Sequence, residues 1–187
     1  MHKTTMKKNK LDVGHINMKG YPNAKNRKIS FTVICENITI NWGDDTVEEG
    51  ALNGVKKTFA HEYSNENIQT IFITTEGLTK LDCSDNQLTL LDASDCTTLT
   101  ELYCCENNLT SLNISGCKAL TTLECRFNQL TANVLNSIFE VLPTTQDYHI
   151  HIGGNPGTFT CKTDIATSKG WVIYYIKSPL YHYDRKF

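Results

Sequence analysis

The 187-residue sequence has no apolar stretch approaching the ~20 residues that span a bilayer, which excludes a membrane-spanning helix. Its first twenty residues carry charge but no apolar h-region, so no signal peptide is visible. No G-x-S-x-G, H-E-x-x-H or Walker loop occurs, and the turn Gly153-Gly154-Asn155-Pro156-Gly157 is not followed by Lys-Ser/Thr. With no catalytic constellation, the expectation is a protein that is not an enzyme and needs no cofactor. C-x-x-C spacing is also missing, so no metal is expected despite eight cysteines. Positive charge is scarce outside one end. Residues 1–28 hold eight of the eighteen Lys and Arg but only one of the twenty Asp and Glu. The remainder is acidic, which leaves no basic surface for nucleic acid beyond segment 1–27, and that segment reads as a basic, solvated arm.

What the sequence does have is a register. Cys83, Cys104 and Cys125 are spaced by twenty-one residues, as are Cys96 and Cys117, and Asn86, Asn107 and Asn128. Leu78, Leu99 and Leu120 share the step, together with the columns that begin at Leu81, Leu88 and Leu91. The units read LTKLDCSDNQLTLLDASDCTT, LTELYCCENNLTSLNISGCKA and LTTLECRFNQLT. Each block of this kind lacks a second layer for its own leucines, so successive blocks must stack as coils, with parallel strands about 4.8 Å apart. Around Leu81-Asp82-Cys83 alternate side chains face opposite ways, which puts Leu81 and Cys83 inward. The Asn column falls at the turn, where its amide can satisfy backbone groups of neighbouring coils.

The cysteine columns follow from the same geometry. Cys83, Cys104 and Cys125 fill a dry column, a role that free Cys performs well, and Cys96 and Cys117 form a second. Disulfides between successive coils fit on distance alone, but stacked side chains point alongside rather than at one another. Reduced, buried thiols are the expectation. Cys105 takes an outward slot and reads as an exposed thiol beside Tyr103.

The period, the Cys column and the Asn column resemble the 21-residue, cysteine-containing class of bacterial leucine-rich repeat proteins, the internalin-like group, over residues 78–131. The resemblance implies a short solenoid with a parallel β-sheet, and a binding protein at the cell surface or secreted. Upstream, Trp42-Gly43-Asp44-Asp45-Thr46 and His61-Glu62-Tyr63 resemble the W-G-D-G-[ST] and H-x-Y signatures of polycystic-kidney-disease-type (PKD) β-sandwich domains. The organisation expected is mainly β with minor α: arm 1–27, a β-rich PKD-like cap 28–77, repeats 78–131 and an α/β cap 132–187. In the first cap, strands are expected at 28–35, 38–42, 57–63 and 68–74. In the second, a helix capped by Thr131 or Asn133 runs to Pro143, followed by strand 148–152, a short helix 162–169 and strand 171–176. No Pro/Gly-rich linker precedes Leu78, so caps and repeats are expected to form one rigid body.

The outward repeat positions are Lys80, Asp82 and Ser84, then Glu101, Tyr103 and Cys105, then Thr122, Glu124 and Arg126. By the resemblance this face binds a protein, peptide or glycan, with Tyr103 as anchor. Its area, on the order of 250 Å², is well short of the ~800 Å² each partner gives a standard protein interface. His149 and His151 share a strand face without a third metal ligand nearby, and Asp44 and Asp45 fit turn chemistry better than calcium. A monomer is expected. The competing expectation is a structural spacer of a larger assembly with no ligand of its own.

Overall fold

The computed structural model describes residues 12–23, 25–144, 146 and 148–175. Strands β1 (Val13–Tyr21), β2 (Lys28–Ile34), β3 (Asn37–Asn41), β4 (Val47–Ala51), β5 (Lys57–Glu62) and β6 (Gln69–Glu76) precede the repeats. The repeats supply β7 (Lys80–Asp82), β8 (Gln87–Asp92), β9 (Glu101–Tyr103), β10 (Ser111–Asn113) and β11 (Thr122–Glu124). Helix α1 (Ala132–Val141), β12 (Tyr148–His151), α2 (Thr163–Thr167) and β13 (Trp171–Tyr174) follow.

These strands form two mixed sheets, ordered β10-β8-β1-β6-β3-β4 and β13-β12-β11-β9-β7-β2-β5. This corrects the expected architecture, a short solenoid with a parallel sheet between a PKD-like β-sandwich cap and an α/β cap. The repeat strands do pair in parallel, with Leu81, Leu102, Leu123, Ile150 and Ile173 in one register row. Yet β7 continues antiparallel onto β2, and β8 continues antiparallel onto β1. The first two repeats each place one strand in one sheet and the next in the other, the third adds β11 alone, and both sheets run unbroken from the antiparallel strands into the parallel ones. The physical reason is edge satisfaction: the first repeat strands pair their backbone with β1 and β2 rather than end on a separate cap.

A second correction concerns the arm. Val13–Tyr21, within the segment read as solvated, is strand β1, paired to β6 on one side and β8 on the other. Ile16 and Met18 are fully buried there. Gly14 and Gly20 occupy the other inward positions because a Cβ on Gly20 would lie 2.6 Å from Leu88 Cα, and one on Gly14 3.0 Å from Cys96 Sγ.

One contiguous core joins both sheets, from Ile16, Phe31 and Trp42 through the Leu and Cys columns to Phe139 and Trp171. Burial of each Leu or Ile contributes about 1.5–3 kcal/mol. The two motif fragments upstream converge on this core. Trp42 stacks on His61 (ring centroids 5.0 Å, 17°), His61 meets Tyr63 edge-on, and the Tyr63 hydroxyl donates to Trp42 O at 2.9 Å. His61 Nε2 lies 2.7 Å from Asp44 Oδ2, while Asp45 takes φ +68° in the turn. At the other end Thr131 caps α1 by accepting from Val134 N, and α1 buries Leu135, Ile138 and Phe139. Among the described residues no helix is long and apolar enough to cross a membrane.

Candidate functional site: the outer face of the seven-stranded sheet

An asparagine ladder sets the turns that carry this face. Asn107 Nδ2 donates to Cys83 O (3.0 Å) in the preceding repeat and to Cys104 O (3.2 Å) in its own, while its Oδ1 accepts from Leu88 N at 3.0 Å. Asn128 makes the same set to Cys104 O, Cys125 O and Leu109 N. Asn86 closes the first rung against Ser30, accepting from its N and donating to its O. The residue before each Asn is left-handed: Asp85, Glu106 and Phe127 have φ between +53° and +57°.

The ladder has a fourth rung that the 21-residue register does not contain. Asn155 donates to Cys125 O (3.0 Å) and Ile152 O (2.8 Å) and accepts from Leu130 N (3.1 Å). Gly154, at φ +74°, holds the left-handed position before it. The signal was present in sequence: Ile150-x-Ile152-x-x-Asn155 repeats Leu123-x-Cys125-x-x-Asn128, displaced because α1 lengthens this turn.

The cysteines of the two columns line the interior as free thiols. Cys83 Sγ donates to Tyr103 O (3.6 Å) and Cys125 Sγ to His151 O (3.4 Å), each reaching the following turn. Cys117 Sγ donates to Ala93 O at 3.2 Å. Burial pushes the Cys83, Cys104 and Cys125 thiols far above their usual range, and those of Cys96 and Cys117 up to about 12. Cys105 departs from expectation. It is 7% exposed, not an exposed thiol, because its side chain lies in the row between Ser84 and Arg126 and bonds Ser84 Oγ at 3.2 Å.

On the outer face the remaining positions fall into two groups. In the first, Lys80 Nζ pairs with Glu101 Oε2 (2.7 Å) and sits 4.4 Å from the Tyr103 ring centre, and the Tyr103 hydroxyl donates to the same carboxylate oxygen (2.9 Å). Burial of Glu101 acts to raise its pKa, but the Lys80 and Tyr103 hydrogen bonds and the Lys80 charge outweigh it and hold the carboxyl below its usual range. Asp82 Oδ1 is taken by Ser84 N, and Thr122 lies half-buried beside Glu101 in the register.

The second group sits on β11 and β12. Glu124 Oε1 lies 3.2 Å from His151 Nε2, and Glu124 Oε2 lies 3.4 Å from Arg126 Nη1. Burial raises the Glu124 pKa to about 7 against the pull of Arg126. Burial, then Arg126 and His149, lower that of His151 to about 4. His151 is covered by Tyr174, whose ring stacks on it at 4.5 Å, and His149 tilts against the same ring. Both histidines thus lie on the outer face, but His151 is buried there by a side chain from the next strand. No group of three metal-ligating side chains occurs among the described residues.

Past the ends of β11–β13 this second group opens into a cavity of about 220 Å³, lined by Arg126, Phe127, His151, Gly153, Gly154, Tyr174 and Tyr175. Its rim is aromatic and open: Phe127 is 50% exposed and Tyr175 39%, and Phe159, 86% exposed, lies against Tyr175 outside the lining. Phe159 and Tyr175 stack with nearly parallel planes (8°), 6.4 Å between centres. Of the sequence-derived residues, Arg126 and His151 line this place, Glu124 pairs with both without lining it, and Tyr103 belongs to the other group. Phe127, Gly154, Phe159, Tyr174 and Tyr175 are new to the site. Neither a family model, nor a curated protein, nor a solved structure matches the chain.

Proposed function

We propose that the chain is a non-enzymatic binding module of the leucine-rich repeat type, recognising a peptide, protein or glycan through the outer face of its seven-stranded sheet, at a bacterial cell surface. The observation that supports this most is the open aromatic rim around a small cavity whose wall carries a guanidinium. Exposed aromatics gathered at one place, beside a few convergent polar groups, are the usual make-up of a recognition site. The repeat register supports the family reading, and the surface location rests on that resemblance alone. Peptide and glycan arrays probed with the full chain test the proposal. A ligand whose affinity falls at least about tenfold in Phe127→Ala or Tyr103→Ala supports it. Ligands that bind both variants unchanged remove the face from consideration.

A second reading has its own supporting observation. Lys80, Glu101 and Tyr103 saturate one another, so that part of the face offers little unspent polar chemistry. A structural spacer without a ligand would look like this, and silence on every array, from protein with an intact fold, favours it.

A further inference from the structure

Arg126 is under-engaged for a guanidinium set so deep. It presents five N–H donors, and its ion pair with Glu124, at 3.4 Å, is loose. Its Nε is shielded from solvent and has no hydrogen-bond partner. The carboxylate opposite it is itself inclined toward the neutral form, since burial pulls Glu124 to about 7. A neutral Glu124 leaves the Arg126 charge without a full counter-charge at the wall of the cavity.

The rest of the cavity is flat and apolar. Tyr174 is fixed on His151, Phe127 projects from a left-handed turn, and Tyr175 lines the mouth with Phe159 stacked parallel to it outside the lining. The floor is Gly153 and Gly154, where no side chain intrudes, and a Cβ on Gly154 would lie 2.4 Å from the Phe127 ring. At about 220 Å³ the space lies below the 300–1,000 Å³ of drug-sized sites, so it fits one ring rather than a long side-chain array. Two chemistries are thereby called for in one small occupant: an anionic group for Arg126, and a ring with an apolar face for the aromatics. The C–H face of a pyranose carries slight positive charge and matches the negative face of an aromatic ring.

We infer that this cavity is a subsite for an acidic monosaccharide unit, its carboxylate on Arg126 and its ring against Phe127 and Tyr175. The inference rests on the binding-module reading and names the ligand class for it. A uronate supplies both chemistries, and its flat carboxylate suits the planar donor fork of arginine. Because Tyr175 lines the cavity and the exposed Phe159 stacks on it outside, a glycan chain can continue outward from the bound unit.

The test uses the full chain and amide NMR titration with three probes: methyl glucuronide, methyl glucoside and N-acetylphenylalanine. The expected result is saturable shifts at Gly153, Gly154 and Phe127 with the glucuronide, and affinity at least about tenfold weaker for the glucoside. Arg126→Gln should abolish that preference. Tyr175→Ala, which removes a half-exposed ring of the lining, should weaken both sugars together. Equal binding of the two sugars overturns the acidic part of the inference, and so does a preference that survives in Arg126→Gln. Shifts with N-acetylphenylalanine alone overturn the sugar and leave the binding module standing. No shift with any probe overturns the subsite, and only added silence on the arrays also removes the wider reading.

Discussion

Asn155 Nδ2 reaches back 3.0 Å to the carbonyl of Cys125, repeating across α1 the contact that Asn128 makes with Cys104. The ladder therefore crosses from the regular repeats into the irregular end of the molecule and ties the cavity floor to the turns before it. An amide is suited to this position because it donates and accepts at once. Asn107→Ala strips two turns of their partners and should cost about 3 kcal/mol, read as a lower urea midpoint. Asn107→Asp keeps the acceptor but sets a carboxylate against the Cys83 and Cys104 carbonyls, and should cost at least as much. A variant that unfolds at the wild-type midpoint would separate the ladder from stability.

The ladder also marks how far the sequence could be read. Positions fixed by a repeated environment were legible: Leu81, Cys83 and Asn86 recur because each turn gives the same neighbours above and below. β1 was not, since its inward row sets Ile16 and Met18 between Gly14 and Gly20, glycines required by close approach to Cys96 and Leu88. That row has too little apolar weight to announce a strand. The joining of repeats to β1 and β2 in both sheets was hidden for a different reason: pairing is a long-range choice and leaves no local periodicity. On the site, alternation pointed Cys105 outward correctly but said nothing of the neighbours that cover it. The cavity rim lay beyond reach because α1 breaks the register before Tyr174 and Tyr175 arrive.

Thiol accessibility separates the interior columns from the rest. Seven of the eight cysteines are buried, and Cys161 alone is half-exposed. Thiolate is the reacting form, and burial raises every one of these thiols. With Ellman's reagent on the native protein, one thiol should react, slowly, and Cys161→Ser should abolish the signal. Denaturant should release all eight. A second fast thiol that disappears in Cys105→Ser would mean that the Ser84–Cys105–Arg126 row is open.

Gly154 links fold and cavity in one residue. Its φ of +74° is a conformation that L side chains rarely adopt, and a Cβ would strike the Phe127 ring. Gly154→Ala should destabilise by about 1–2 kcal/mol and push Phe127 aside. If Phe127 forms part of the binding surface, ligand affinity should fall more than in Phe159→Ala. Unchanged stability, measured by urea denaturation, would show that the turn relaxes without cost.

Glu124 and His151 make opposite demands on pH. The Glu124 pKa is raised from 4.5 to about 7 on folding, so the folded state holds a proton that the unfolded chain has released, and stability falls as pH climbs through that window. The His151 pKa is lowered from 6.5 to about 4, so the unfolded chain binds the extra proton, and stability rises over that window. Between about pH 4.5 and 6.5 the two slopes oppose and their contributions nearly cancel. Glu124→Gln removes one of them. The variant should then gain stability with rising pH across this interval, on the order of 2 kcal/mol, relative to the wild-type profile. His151→Gln should tilt the other way, losing stability from pH 4.5 to 7. Urea midpoints at pH 4.5, 5.5, 6.5 and 8 measure both. Parallel profiles for wild type and both variants would mean that water reaches Glu124 and His151 freely, and the buried pairing at the cavity wall would lose its support.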